Sequence, residues 1–246
     1  MLSKPPCWWQ QQNEPENIKK RGYEMRIAII GAGRVGKSLG AALRAKGHSV
    51  VYGVRDPSAS GGPATKTAGG AIAGADAVIL ATPWTVAEAL VCEHAPELRG
   101  KIVIDATNPL NTSATRLALG FDSSGAELLQ SHAQGAIFFK AFNVASPSAM
   151  ARPQYPQGQA VVFVAGPRGP QKKIVLGLAL DIGFEAVDVG DLRAARLLEP
   201  LGMLRLQLEE TQGRDRDCAF VLGSRELKQA EAPRPYVLAV EACEAG

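Results

Sequence analysis

The sequence predicts an α/β fold, a Rossmann-type, doubly wound and mostly parallel sheet with a small C-terminal helical extension. Short, continuously apolar runs alternate with helical stretches, as expected for strands that are buried on both faces. These runs recur every roughly 23–35 residues, which leaves room for a crossover helix between most neighbours. A glycine-rich turn follows the first run and opens a helical stretch. Together these three observations indicate a nucleotide-binding domain.

The strands and the domain limits follow from the apolar runs. The predicted strands are Arg26–Ile30, Val50–Val54, Ala77–Ala81, Ile102–Asp105, Ile137–Lys140, Ala160–Ala165 and Phe184–Val189. We expect residues 25–225 to form one domain that includes the substrate crevice and the C-terminal helices. Residues 1–24 are interpreted as a flexible extension, and residues 226–246 as a tail.

Helix signals lie between the strands. One apolar stripe comprises Val35, Leu39, Ala42 and Leu43, and Gly47 ends this helix. Asp56 followed by Pro57 predicts an N-cap with proline at the first helical position.

A last helix is predicted near the end of the domain. Asp191 is its expected cap, and its apolar stripe comprises Leu197, Leu201, Leu204 and Leu208. Pro200 should kink or divide this helix, because proline lacks the N–H that helix interiors require. The stripe is interpreted as covering the sheet, with a contact between subunits as the alternative.

The turn Gly31-Ala32-Gly33-Arg34-Val35-Gly36 is the sharpest motif of the chain. The first glycine permits a tight turn, the second lets the backbone approach a pyrophosphate, and the third lets the helix pack closely on the sheet. The free N–H groups at the helix start then bind the anion. The motif follows a strand and opens a helix, which is the context that dinucleotide binding requires.

The end of the second strand distinguishes NAD from NADP. NAD-binding proteins usually place a carboxylate there to bind the ribose hydroxyls, whereas a 2′-phosphate requires a cation. Arg55 can bind that phosphate and stack on adenine, which favours NADP(H). Asp56 is the alternative ribose ligand, although its position before Pro57 is explained by helix capping.

Composition excludes several other classes of protein. A net charge of +3 with scattered Lys and Arg gives no reason to expect a nucleic-acid partner. No apolar run approaches the ~20 residues that cross a bilayer, so we expect no membrane partner. The dispersed cysteines predict no disulfide framework and a cytoplasmic location. Cys92 and His94 have no second pair of ligands beside them, so no metal site is expected.

From Met25 to roughly residue 225 the chain resembles the coenzyme F420-dependent NADP oxidoreductase family, whose founding members exchange hydride between NADP and a deazaflavin. The resemblance rests on the glycine-rich turn and on a linked series of segments: Gly53–Pro57, Ala81–Trp84, Asp105–Leu110, Lys140–Asn143 and Ala195–Leu201. It also implies a homodimer.

The resemblance assigns further site residues at the strand ends. It places Thr82, Pro83 and Trp84 beside the nicotinamide ribose, and Phe142 and Asn143 where nicotinamide meets the acceptor. Family members usually have a hydroxyl residue where Val54 stands, so one phosphate contact is missing here. The predicted cofactor-binding set is Gly31, Ala32, Gly33, Arg34, Val35, Gly36, Val54, Arg55, Ala81, Thr82, Pro83, Trp84, Asn108, Pro109 and Ala141.

Some of these side chains also have simpler explanations. Trp84 is equally consistent with core packing, and Asn108-Pro109 with a turn. His132 is interpreted as a surface histidine rather than a proton donor, and His48 as a loop residue.

The leading hypothesis is an NADP(H)-dependent oxidoreductase that acts on a small planar redox substrate such as coenzyme F420 or a flavin. Hydride transfer requires no protein nucleophile, which agrees with the lack of hydrolase motifs. The alternatives are a non-catalytic NADPH-binding regulator and a reductase of another small substrate, such as an imine or a quinone. About 80 residues follow residue 165, too few for the long helical substrate domain of imine and hydroxyacid reductases. Membrane metalloreductases are disfavoured because no predicted segment spans a membrane.

Overall fold

The computed structural model describes residues 24–60, 64–113, 115–212 and 217–223. The predicted strands and the glycine-rich turn lie within these ranges. The predicted extension, apart from Glu24, and the predicted tail at 226–246 lie outside the described residues.

Within the described residues, the central sheet has six parallel strands in the order β3-β2-β1-β4-β5-β6. Their bounds are β1 Arg26–Ile30, β2 Ser49–Gly53, β3 Thr65–Lys66, β4 Ala77–Leu80, β5 Ile102–Asp105 and β6 Ile137–Lys140. The predicted Rossmann-type sheet is confirmed, and its longer strands agree with the apolar runs to within one residue. The short strand β3 was not predicted, since two residues are too few to form an apolar run.

Further strands lie beyond β6. A hairpin is formed by β7 Gln154–Tyr155 and β8 Gly158–Gln159. The predicted strands β9 Val161–Val164 and β10 Glu185–Asp188 pair with each other in parallel. An antiparallel bridge between Lys140 and Ala165 connects them to β6. The β9–β10 pair therefore joins the central sheet through a single bridge rather than a full ladder.

Helices cover both faces of the sheet. Their bounds are α1 Arg34–Arg44, α2 Pro57–Ser60, α3 Ala68–Ala73, α4 Trp84–Glu93, α5 Ala95–Leu98, α6 Gly125–His132, α7 Pro147–Ala151, α8 Pro170–Ile182 and α9 Ala195–Gln212. A 3₁₀ turn, Leu192–Ala194, precedes α9. Gly47 has a φ of 90° just after α1, in agreement with its predicted role at the helix end.

The buried core has one apolar cluster on each face of the sheet. Ile27 and Ile29 of β1 pack in the first cluster, with Leu39 of α1. Ala28 and Ile30 of the same strand pack in the second cluster, with residues of α3, α4 and α6. Because successive side chains of a strand point to opposite faces, one continuous apolar run supplies both clusters. This explains why the strands do not alternate with polar residues.

The last helix differs from its prediction in three ways. Asp191 caps the 3₁₀ turn, by accepting a hydrogen bond from the Arg193 N–H at 3.1 Å, and α9 follows that turn. The helix continues through Pro200, so the predicted division is wrong. Leu197 and Leu204 are 73% and 49% exposed, so much of the leucine stripe does not cover the sheet.

The buried face of α9 is a different one. It is formed by Ala195, Leu198, Glu199, Gly202 and Arg205. This face includes a small residue, Gly202, and two buried charged residues, Glu199 and Arg205. The predicted leucine stripe includes neither kind of residue.

Candidate functional site

The turn after β1 is shaped by Gly31. Its φ is 111°, a conformation that other residues rarely adopt, and its N–H donates to the Gly53 carbonyl at 2.9 Å. A Cβ atom at this position would lie 2.5 Å from the Ala81 carbonyl oxygen. The turn therefore fits between β2 and β4 only with glycine, at the point where the order of the strands reverses. Open α/β sheets bind ligands at this point.

The other two glycines have different surroundings. Gly33 is the N-cap of α1, is exposed, and has open space where a Cβ atom would lie. A Cβ atom on the buried Gly36 would lie 2.0 Å from the Gly31 carbonyl oxygen. Gly33 thus leaves room for a ligand in front of the first N–H groups of α1, and Gly36 lets α1 approach the turn. We call this space in front of α1 the glycine cradle, and it remains the predicted site for a pyrophosphate.

Arg55 is exposed and follows β2, beside the cradle. Asp56 Oδ1 accepts from the Ser58 N–H at 2.9 Å and from the Ser58 hydroxyl at 2.5 Å. Asp56 thus acts as the predicted cap of α2. The capping role of Asp56 makes the exposed Arg55 the candidate for binding a 2′-phosphate.

The segment after β4 forms the next part of the crevice. Ala81 and Thr82 are partly buried, and Pro83 is the N-cap of α4. The Thr82 hydroxyl is buried and has no hydrogen-bond partner among the described residues. Unpaired buried hydroxyls are unfavourable, so this one is a candidate ligand-binding group. Trp84 is partly buried and packs against the second core cluster, so it contributes to both the core and the crevice.

Two asparagines join the ends of β5 and β6. The Asn108 side-chain N–H donates to the Asn143 carbonyl at 3.0 Å, and the Asn143 side-chain N–H donates to Asn108 Oδ1 at 2.9 Å. Asn143 also donates to the Leu198 carbonyl of α9 at 2.7 Å. Both carbonyls can only accept, so the orientation of each amide is determined. The pair therefore connects both strand ends to α9.

Phe142 lies behind the crevice rather than in it. Its ring is 1% exposed and packs edge-to-face on Phe184, with ring centroids 6.3 Å apart. Its φ of 64° is unusual for a bulky residue. What Phe142 gives to the site is a sharp backbone turn before Asn143, while Ala141 is fully buried.

A buried group of charged residues lies beneath these strand ends. The sequence analysis does not predict that they form a group. Lys140 Nζ donates to Asp105 Oδ2 at 2.8 Å, to Glu199 Oε1 at 2.8 Å and to the Thr107 carbonyl at 2.7 Å. We call Asp105, Lys140 and Glu199 the buried ion triad, because all three residues are fully buried. All three protons of the ammonium group have acceptors.

The charges of the triad are stabilised by one another and by nearby backbone N–H groups. Burial by itself would lower the pKa of Lys140, but the carboxylates of Asp105 and Glu199 outweigh that effect and raise it. Glu199 also accepts from the N–H groups of Gly125 at 2.9 Å and Ala126 at 3.2 Å. These groups begin α6, where the helix dipole favours a negative charge. The sequence does contain a signal for the triad, because Asp105 and Lys140 end apolar strands and Glu199 interrupts an apolar helix.

Other singled-out residues lie away from the crevice. His132 Nε2 is 3.0 Å from Glu88 on the surface, as predicted, and His48 lies in a loop, 3.3 Å from Asp181. Among the described residues, no three His, Cys, Asp or Glu side chains form a group that could hold a metal ion. The structure thus brings the glycine turn, Val54 and Arg55, the segment Ala81–Trp84 and the segment Asn108–Pro109 to one edge of the sheet, with Ala141, Phe142 and Asn143 buried behind it.

Comparison with known proteins agrees with this geometry. The family model for NADP oxidoreductase, coenzyme F420-dependent, matches residues 26–109. The F420-dependent NADP reductase of Methanothermobacter thermautotrophicus is 30% identical over 208 residues, which cover 75% of this chain and 89% of the relative. A solved structure from Arthrobacter sp. FB24, assigned as an F420-dependent NADP reductase, matches with a TM-score of 0.70 and 30% identity. That match covers 76% of this chain and 95% of the other.

A second kind of relative shares the same region. Metalloreductase STEAP3 of Rattus norvegicus is 33% identical over 186 residues, or 73% of this chain. The chain spans 37% of that metalloreductase's length. In the part of the chain that the structure describes, no helix is long and apolar enough to cross a membrane.

Proposed function

Because the chain belongs to the coenzyme F420-dependent NADP oxidoreductase family, we propose that it transfers a hydride between NADP(H) and a planar acceptor such as coenzyme F420 or a flavin. The observation that best supports this function is the glycine cradle in front of α1 with Arg55 beside it. NADP(H) would supply the hydride when bound. The role of the protein is to align two rings and to exclude water.

Each part of the crevice has a task in this proposal. The N–H groups that begin α1 bind the pyrophosphate, and Arg55 binds the 2′-phosphate. The unpaired hydroxyl of Thr82 bonds the nicotinamide ribose, and Pro83 and Trp84 border it. Asn108 and Asn143 hold α9 beside the place where the acceptor would lie.

The reaction is tested by stopped-flow mixing of the NADPH-loaded protein with coenzyme F420, FMN, FAD and a quinone. We expect NADPH oxidation with a deazaflavin or a flavin. Tight NADPH binding without oxidation by any of the four would contradict the proposal and would favour a regulator that senses NADPH. Oxidation by the quinone alone would favour a reductase of another small substrate.

The cofactor preference is tested by Arg55→Glu. Replacing the cation by a carboxylate should weaken NADPH binding by about 10- to 100-fold or more and leave NADH binding unchanged or stronger, as measured by calorimetry. Lys46→Glu is the matched control, because this exposed lysine lies beyond the far end of α1. Equal loss in both variants would mean that net charge, rather than Arg55, determines the preference.

We also propose that the protein forms a homodimer through α9. The exposed leucines Leu197 and Leu204 lie two turns apart on one face of this helix, and exposed apolar surface of this kind is typical of subunit contacts. Sedimentation should give a dimer for the unchanged protein and a monomer for Leu197→Asp with Leu204→Asp. A monomer at micromolar concentration for the unchanged protein would rule the dimer out.

The cytosol is the compartment in which we expect this reaction. Cys92 and Cys218 are free thiols, a state that a reducing compartment preserves. Fractionation of cells that express a tagged chain tests the location, and recovery outside the cytosolic fraction would contradict it.

A further inference from the structure

The buried ion triad of Asp105, Lys140 and Glu199 connects three separate parts of the fold. Asp105 ends β5, Lys140 ends β6, and Glu199 lies in the second turn of α9. Lys140 lies 2.8 Å from each carboxylate, and no part of the triad reaches solvent. Such groups gain little net stability, because desolvation offsets the attraction between the charges. Their value lies in fixing one arrangement of the elements that they join.

The residues next to Glu199 make direct contact with the crevice. The Leu198 carbonyl accepts from Asn143 at 2.7 Å. A Cβ atom on Gly202 would lie 2.5 Å from Asn108 Oδ1 and 3.0 Å from Asn143 Nδ2. One helical turn beyond Leu198, α9 therefore touches the asparagine pair with its backbone. This part of α9 is the wall of the crevice at the ends of β5 and β6.

Trp84 is held from the same side. Glu199 accepts from the Gly125 N–H at 2.9 Å, which fixes the start of α6. A Cβ atom on Gly125 would lie 2.9 Å from the Trp84 ring and 3.2 Å from Glu199 Oε1. The backbone of Gly125 therefore lies against both the carboxylate and the indole. Movement of Glu199 would move both the wall and the ring.

We propose that Glu199 and Lys140 are positioning residues for the acceptor half of the crevice. Their ion pair holds residues 198–202 of α9 against Asn108 and Asn143, and holds Gly125 against Trp84. The inference rests on the proposed function, since it concerns the place where an acceptor would meet the nicotinamide. The glycine cradle and Arg55 follow β1 and β2, away from the triad, so binding of the pyrophosphate and of the 2′-phosphate should not depend on it.

The test compares Glu199→Ala, Glu199→Gln and Arg196→Gln. Arg196 lies in the same helix as Glu199 and is the matched control. It forms a partly exposed ion pair with Glu127 of α6, at 2.8 Å. Glu199→Ala should lower kcat/KM for the acceptor on the order of 10- to 100-fold, because small misplacements of reacting groups are costly. Its Kd for NADPH should change much less than the acceptor kcat/KM, because the glycine cradle and Arg55 are separate from the triad.

The conservative variant and a second readout separate positioning from general stability. The single side-chain oxygen of glutamine can replace Oε1 and accept from Lys140, but its NH₂ group then faces the Gly125 N–H, so Glu199→Gln should recover part of the acceptor kcat/KM. Hydrogen exchange of residues 198–204 should accelerate in Glu199→Ala and not in Arg196→Gln. Faster exchange and a lower Tm in Glu199→Ala with an unchanged acceptor kcat/KM would overturn the proposal, as would unchanged exchange.

The two proposals fail in different ways. If the unchanged protein reduces no acceptor, the proposed function is wrong, and the acceptor role of the triad is wrong with it. If the unchanged protein reduces an acceptor and Glu199→Ala does so equally well, only the role of the triad is wrong.

Discussion

Single residues of the glycine turn have separable roles. Gly33 faces open space and has an ordinary φ of −75°, so an alanine side chain fits there without strain. Gly36 is packed against the Gly31 carbonyl, where a methyl group cannot fit. Gly33 therefore leaves space for a ligand, whereas Gly36 allows α1 to pack closely against the turn.

This difference predicts opposite outcomes for two equivalent substitutions. Gly33→Ala should leave the Tm nearly unchanged and weaken NADPH binding by about tenfold or more, because the new methyl group occupies the approach to the pyrophosphate. Gly36→Ala should lower stability by about 1–3 kcal/mol as well as weaken binding, because the backbone must shift. Calorimetry and thermal unfolding measure both effects. A Gly33→Ala protein that binds NADPH normally would contradict the cradle.

The same residues show how far sequence reasoning reaches at this scale. The roles of Gly31 and Gly36 follow from local backbone geometry, so the motif predicts them correctly. The pairing of Lys140 with Asp105 and Glu199 depends on three elements that are distant in sequence, and no local rule joins them. Phe142 is a related case, since its burial depends on Phe184 of a later segment.

At the scale of elements, the leucine stripe of α9 does not predict which face of the helix is buried. Leucines at 197, 201, 204 and 208 imitate an amphipathic stripe, but the face against the sheet includes Glu199, Gly202 and Arg205. A helix buries the face that fits its neighbours, and here the neighbours are a buried ammonium group and two amides. Hydrophobic periodicity alone does not reveal such a face.

Two helical glycines test this account of α9. Gly202→Ala should destabilise the protein and lower the acceptor kcat/KM, because its Cβ atom would lie 2.5 Å from Asn108 Oδ1. Gly177 in α8 has open space around it, so Gly177→Ala should stabilise the protein by about 0.5–1 kcal/mol. Thermal unfolding should show a Tm that falls for the first variant and rises a few degrees for the second. A rise in both would mean that Gly202 does not set the approach of α9.

At the scale of the whole molecule, partly exposed ion pairs join separate segments of the chain outside the hydrophobic core. Arg26 of β1 and Asp76 before β4 are 2.6 Å apart, and the hydrogen bond from Arg26 lowers the pKa of Asp76. Lys172 of α8 and Asp188 of β10 are also 2.6 Å apart. Partial burial alone would raise the pKa of Asp188, but the hydrogen bonds from Lys172 and from the Gly190 N–H, together with the nearby positive charges, outweigh it and lower that pKa.

These lowered pKa values predict a loss of stability in acid. A carboxylate whose folded-state pKa lies below its ordinary value of 3.8 stabilises the fold above that pH, and the contribution is lost as the pH falls through the lowered pKa. Asp188→Asn should therefore cost up to about 1 kcal/mol at pH 7 and less near pH 3, as measured by urea unfolding. Glu210→Gln, an exposed change on α9, is the control. A cost for Asp188→Asn that is the same at both pH values would exclude the ion pair as its cause.

The strand order β3-β2-β1-β4-β5-β6 has a consequence for how this protein can diverge. The cradle and Arg55 follow β1 and β2, whereas the asparagine pair and the buried ion triad involve β5, β6 and α9. The matching family model ends at residue 109, before Lys140, Asn143 and all of α9. If the proposed function is correct, substitutions after that residue should change the choice of acceptor and leave the glycine cradle and Arg55 unaltered. A library confined to residues 140–143 and 198–205 is therefore a rational starting point for redirecting the enzyme to new oxidants.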